Sequence, residues 1–136
     1  MLGGPRAGDR APDGVLRDAE RGEPRRLFAV LRGTRHTLLL FGGRWSRNGQ
    51  DGLEAVATAV DRKLGDRVSI HTVVTESASR SGRRSPLWID PAGRLHARYA
   101  ASGPSVYLIR PDGHVGFRGR PPSADAVLAY FDRITR

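Results

Sequence analysis

Two apolar runs, Thr37–Phe41 (TLLLF) and Val68–Val74 (VSIHTVV), constrain this chain more than any other feature. The first lacks polar alternation, the pattern of a strand buried on both faces, and the second is rich in β-branched residues. Between them Leu53, Val56, Ala57, Val60 and Leu64 recur at helical spacing. They form one apolar face of an amphipathic helix over Leu53–Leu64, with Asp51 as its N-cap and Gly65 as its C-cap. Gly42 and Gly43 end the first strand, and a polar loop, Arg44 to Gly52, leads to the helix. A strand–helix–strand unit of this kind crosses over right-handed, so the two strands are parallel.

The flanking segments are weaker in pattern. Residues 1–13 (MLGGPRAGDRAPD) hold Gly, Pro and charge and read as a linker or extended arm, leaving 14–136 as the domain. Leu27–Leu31 reads as a short helical turn. After Leu87, Trp88 and Ile89, the phrase DPAG (Asp90–Gly93) turns into a short helix, Leu95–Ala101. Val106–Ile109 and His114–Phe117 surround Pro111-Asp112-Gly113, a hairpin signal. Ser123 then caps a final helix with Ala126, Val127, Tyr130, Phe131 and Ile134 on one face. The order is βαβ(α)ββα, an α/β fold with a mixed sheet flanked by helices.

Composition excludes several chemistries. The chain has 136 residues and no cysteine, so thiol–disulfide exchange, thiol peroxidase activity, zinc fingers and iron–sulfur clusters lack their sulfur. No apolar run reaches the roughly 20 residues of a membrane span, and the N-terminus has no signal-peptide core. No membrane partner is expected, and the expected location is the cytoplasm. Net charge is +9, but 22 of the 23 basic residues are Arg, with Lys63 the exception, and they run from Arg6 to Arg136. Dispersion of this kind differs from the concentrated patch of a nucleic-acid reader, so no such partner is expected. The one dense cluster, Arg80, Arg83 and Arg84, reads as a solvated loop.

The element order, with Pro104 just before the first hairpin strand, resembles the thioredoxin fold. That resemblance implies a cis peptide at Pro104 and places the family's redox cysteines near Gly42–Ser46, where this chain has GGRWS. The phrase GDRAPD (8–13) is similar to the opening of peroxiredoxins, without their thiol. A closer resemblance covers Gly8 to Arg133. The phrases RLFAVLRGTRHTLLLF (26–41), GRLHARYAASGPSVYLIRPDGHVGFRG (93–119) and the final helix resemble the thioredoxin-like C-terminal domain of flavin-dependent aromatic hydroxylases of the phenol and polyketide type. Tyr107 through Arg118 (YLIRPDGHVGFR) is its most specific part.

The resemblance implies a non-catalytic accessory or dimerisation module. FAD, NAD(P)H and substrate would be handled by an upstream flavin-binding hydroxylase domain, the expected partner beside a possible homodimer. The sequence itself has no Gly-x-Gly-x-x-Gly opening a βαβ unit, and no catalytic, cofactor-binding or metal residues are expected in it. Its first residues fit either a linker cut at a domain boundary or the start of a detached module. Two alternatives stay open: a stand-alone, redox-inactive thioredoxin-like binding protein, and an arginine-rich binder of anionic ligands.

Candidate contact residues are Trp45, in the Gly-rich loop, and Arg110 and Arg118, which flank the hairpin. Trp88 reads as core. His36, His71, His96 and His114 share no metal-ligand spacing, and His36 and His71 fall in strands as satisfied imidazoles. Asp90 and His96 read as a helix cap with a surface imidazole. Without a Gly-x-Ser-x-Gly elbow, acyl chemistry has no support.

Overall fold

The structure is a computed structural model, and it describes residues 3–43, 50–75 and 86–134. The described residues form one mixed sheet in the order β2-β1-β5-β4-β3-β6-β7. Its strands are β1 (Val15–Asp18), β2 (Pro24–Arg26), β3 (His36–Phe41), β4 (Val68–Val74), β5 (Leu87–Ile89), β6 (Ser105–Ile109) and β7 (Val115–Gly119). Helices α1 (Leu27–Val30) and α3 (Arg94–Arg98) serve one face, and α2 (Gln50–Leu64) and α4 (Ala124–Ile134) serve the other. Strands β3, β4 and β5 are parallel, and β3–β6 and β6–β7 are antiparallel.

Alternation along β3 explains the unbroken apolar run. Leu38 and Leu40 join Val56, Val60 and Phe131 in the core under α2 and α4. Leu39 and Phe41 join Leu27, Leu95, Tyr99 and Tyr107 on the opposite side. Neighbouring β6 divides in register, with Leu108 opposite Leu38 and Tyr107 opposite Leu39. Facing residues of paired strands share a face, so two cores grow from one strand pair.

Several expectations are revised. The hairpin β1–β2 is an addition, made of short and charged segments (VLRD, PRR) that carry no period-two apolar signal. The Asp18 carboxylate closes its turn by accepting the backbone N–H groups of Glu20 and Arg21, which hold its pKa below the ordinary carboxylate range. Helix α2 is described from Gln50, so Asp51, expected just before the helix, falls within its range. The short helix ends earlier than expected, at Arg98, and follows a 3-10 turn at Pro91–Gly93. Ser123 does cap α4, its Oγ accepting the Ala126 N–H at 3.2 Å, whereas Ile134, expected on the apolar face, is 45% exposed at the end of the helix.

The N-terminal arm is packed along the domain. Gly8 N–H donates to Val115 O, Val115 N–H to Asp9 O, and Ala11 N–H to Gly113 O, so the arm runs antiparallel to β7. Arg118 continues the pairing with its side chain, donating to Gly3 O (3.1 Å) and Pro5 O (2.9 Å). Pro5 and Ala11 are buried. The arm thereby covers an edge that would otherwise present unpaired backbone groups.

The peptide before Pro104 is not cis; among the described residues the cis bond is Arg120–Pro121. The trans form is the ordinary state of an X–Pro bond, and here it still meets the turn after β3. Gly43, at φ +95°, packs so closely that a Cβ there would lie 2.8 Å from the Gly103 carbonyl carbon and 3.0 Å from Pro104 N. Gly113 in the hairpin turn has a similar φ of +86° with open space around it. Gly43→Ala is therefore expected to cost about 2 kcal/mol or more, and Gly113→Ala only about 1 kcal/mol of backbone strain. Urea unfolding of the two variants measures the difference; equal losses would show that the contact with Gly103–Pro104 carries no strain.

Candidate functional site

The carboxyl ends of β3, β4 and β5 and the start of β6 come together at one end of the sheet, where open α/β sheets place their ligand crevices. Gly42 and Gly43, Val74, Asp90 and the Gly103–Pro104–Ser105 turn meet there. Gly42 N–H donates to Val73 O, and Asp90 N–H donates to Val74 O.

The most chemically distinctive pair at this end is Asp90 with His96, each 1% exposed. The Asp90 carboxylate accepts the backbone N–H groups of Leu95 (3.0 Å) and His96 (2.7 Å), and its Oδ2 faces His96 Nδ1 at 2.7 Å. Asp90 thus acts as the expected cap of the short helix. The imidazole is not at the surface, however. It packs edge-on against Phe41 at 5.1 Å, and Leu95 and Tyr99 are buried beside it. Sequence reading missed this because α3 is too short for a helical period to separate its inner from its outer face. His96 Nε2 is buried without a hydrogen-bond partner. An acid–imidazole pair supplies two of the three members of a nucleophilic triad, but no described hydroxyl lies within bonding reach of Nε2 to complete it.

The surrounding aromatic groups are structural. Tyr99 donates to Pro12 O and Tyr107 to Tyr99 O, so both hydroxyls are spent on the backbone. Burial, reinforced by Tyr107 and Asp13, raises the Tyr99 phenol well above its ordinary pKa. The remaining histidines are dispersed. His36 lies edge-on to Phe131, and burial, with a smaller push from Arg110, disfavours its cation. His114 Nδ1 lies 3.3 Å from Asp112. No group of three or more His, Asp or Glu side chains suited to a metal occurs among the described residues.

His71 accepts the indole N–H of Trp88 at Nδ1, 3.0 Å away, which fixes Nδ1 as the unprotonated nitrogen. Trp88 is core, 6% exposed. Burial lowers the His71 pKa to about 4.

Of the expected contact residues, Trp45 lies outside the described residues, as do Arg80, Arg83 and Arg84. Arg110 is exposed and makes a two-pronged pair with Asp112, at 2.6 and 3.2 Å. That pair holds Asp112 far below the carboxylate range and raises Arg110. Arg118 is occupied by the arm carbonyls. The structure therefore does not bring Arg110 and Arg118 into one cluster. A cleft of about 540 Å³ beside α2 and β4, lined by Arg35, Thr58, Asp61, Arg62 and Ile70 among others, had no counterpart in the sequence reading.

The family model described as aromatic-ring hydroxylase, C-terminal, matches residues 4–134. No curated protein sequence matches. Among solved structures, the peroxidoxin BcpB of Mycobacterium tuberculosis is similar with a TM-score of 0.75 at 21% identity, over 96% of this chain and 98% of that one. A thiol peroxidase from Chromobacterium violaceum gives a TM-score of 0.75 at 14% identity, over 99% and 90% of the two chains. The exposed lipoprotein thioredoxin Etrx1 of Streptococcus pneumoniae gives 0.62 at 20%, over 90% and 99%. At these identities the likeness is one of fold, and the fold is thioredoxin-like.

His71 supplies a pH test of the described packing. An unfolded His takes up a proton near pH 6.5, whereas the folded one resists until about pH 4. The unfolded state therefore binds more protons between those values, and stability falls as pH drops from about 6.5 towards 4. His71→Gln keeps an acceptor for Trp88 without titrating, so its stability should vary less across that window. Chemical denaturation at several pH values tests this, and identical pH profiles for the two proteins would remove His71 as the cause.

Proposed function

Because the chain belongs to the family of aromatic-ring hydroxylase C-terminal domains, we infer that it serves as the non-catalytic accessory module of a FAD-dependent aromatic or polyketide hydroxylase. The flavin, the NAD(P)H reaction and the substrate pocket belong to a preceding domain in this reading. The observation that carries it is a family match over residues 4–134 of a thioredoxin-like chain without any cysteine. Such a fold retains its shape but has no thiol with which to perform the chemistry named for its structural neighbours.

The described residues do not fit FAD. The turn after β3 lies where a doubly wound sheet would receive a pyrophosphate, but Gly43 is packed there against Gly103 and Pro104. No step of hydroxylation is therefore assigned to this chain. The described residues offer an arm packed along β7 and an Arg110 paired with Asp112, and the sequence adds Trp45 as a proposed contact residue. Among the described residues no helix is long and apolar enough to cross a membrane, and a cytoplasmic location accompanies the reading.

Two experiments test it. The gene read upstream of Met1 should continue in frame to a Gly-x-Gly-x-x-Gly strand–helix opening. A stop codon there would instead favour the stand-alone binding protein. In the joined protein, Trp45→Ala is expected to weaken dimer or interdomain association by at least about tenfold, the scale of an interface anchor. Light scattering and sedimentation measure this, and unchanged association with intact folding would remove Trp45 from the interface.

A further inference from the structure

The end of the arm is a point where three parts of the chain meet. Asp13 lies between α1 and α3. Its Oδ1 accepts the Phe28 N–H at 3.0 Å, and its Oδ2 faces Arg26 Nη1 at 3.4 Å. Its carbonyl oxygen accepts Arg98 Nη1 at 2.6 Å. Arg10 adds a third guanidinium, stacked 5.3 Å from the centroid of the Phe28 ring. Arg94 stands one turn before Arg98 on the same side of α3. All four arginines are exposed, and the patch is composed of residues from 9–30 and 94–98, which are described without a break.

Positive charge predominates here. Arg26 and Arg98 meet the same residue, so their charges lie within about one Debye length, roughly 10 Å. The carboxylates beside them are Asp13, whose two oxygens are already engaged, and Asp9, whose Oδ2 accepts the Arg6 N–H at 2.8 Å. Asp90, the carboxylate below α3, is buried with His96. By contrast, α2 on the opposite face interleaves Glu54 and Asp61 with Arg62 and Lys63. The basic patch also has an apolar part, since Pro12, Phe28 and Val30 are half-buried. Arginine beside a partly exposed aromatic ring is the composition of a protein-binding anchor. The ring is not free for a nucleobase to stack on, because Arg10 covers it and the core packs against it.

We propose that the surface between α1 and α3, centred on Asp13 and Phe28, docks an acidic segment of a partner protein. Carboxylates of that segment pair with Arg10, Arg94 and Arg98, whose planar forks suit two-pronged contacts. Its apolar side chains rest on Phe28 and Val30. This inference does not depend on the hydroxylase reading, since no feature of a preceding domain enters it.

The test uses the isotopically labelled full chain and a capped peptide of leucine and glutamate. Binding should shift the backbone amide resonances of Arg10, Phe28 and Arg98 more than those of α2. The combined Arg10→Glu and Arg94→Glu variant should bind about tenfold more weakly. Neither guanidinium donates a hydrogen bond to the described residues, so the variant should fold, as circular dichroism will show. Arg94→Glu alone should cost about threefold and keeps the test open if the double change unfolds the chain. Arg62→Glu with Lys63→Glu removes the same charge from the opposite face and should cost no more than about twofold. Exchanging leucine for serine in the peptide should cost about threefold, through lost contact with Phe28 and Val30. No binding, an equal loss in the α2 variant, or equal binding of a leucine–lysine or serine–glutamate peptide overturns the proposal. So does tighter binding of a single-stranded oligonucleotide of equal charge, which would assign the patch to nucleic acid.

Discussion

The two-sided burial of β3 is the constraint on which the rest of the domain depends. Leu38, Leu39, Leu40 and Phe41 are each fully buried, yet successive residues enter different cores. Each such side chain contributes about 1.5–3 kcal/mol by leaving water. The contribution exists only if both faces of the sheet are covered. Helices α2 and α4 cover one, and α1, α3 and the aromatic group of Phe41, Tyr99 and Tyr107 cover the other. Parallel pairing to β4 and antiparallel pairing to β6 then leave β3 without a free edge.

Polar groups near the carboxyl ends of the parallel strands are absorbed into that architecture. Asp90 ties α3 to the end of β5, Tyr99 ties α3 to the arm, and Tyr107 ties β6 to α3. A buried hydrogen bond to a charged acceptor contributes more than a neutral one, and its loss leaves a stranded donor. The described residues at this end of the sheet therefore form a lattice of caps and backbone contacts. A thioredoxin-like family member without cysteine can afford such packing because no reactive sulfur needs solvent access.

The sequence was most legible where a single period dominated. The run TLLLF, the spacing from Leu53 to Leu64 and the Asp-Gly turn each admitted one reading, and β3, α2 and the β6–β7 hairpin followed. Legibility failed where stability comes from distant partners. The hairpin β1–β2 has too few apolar residues to announce itself, and it is held by pairing with β5 and by the burial of Leu16. Arg118 reads as a candidate contact residue in the sequence, and its actual partners are carbonyls more than a hundred residues away. The burial of His96 and the cleft on β4 likewise arise from tertiary placement that no local window contains.

The course of the arm has a mechanical consequence. Antiparallel contact with β7 and the double grip of Arg118 fix the position of the described arm as far as residue 3. Anything joined there through a short connection starts from a stiff mount and not from a floppy tether. Much of the orientational entropy that docking would otherwise consume is then already spent in folding, so a modest contact surface suffices to hold two bodies in register.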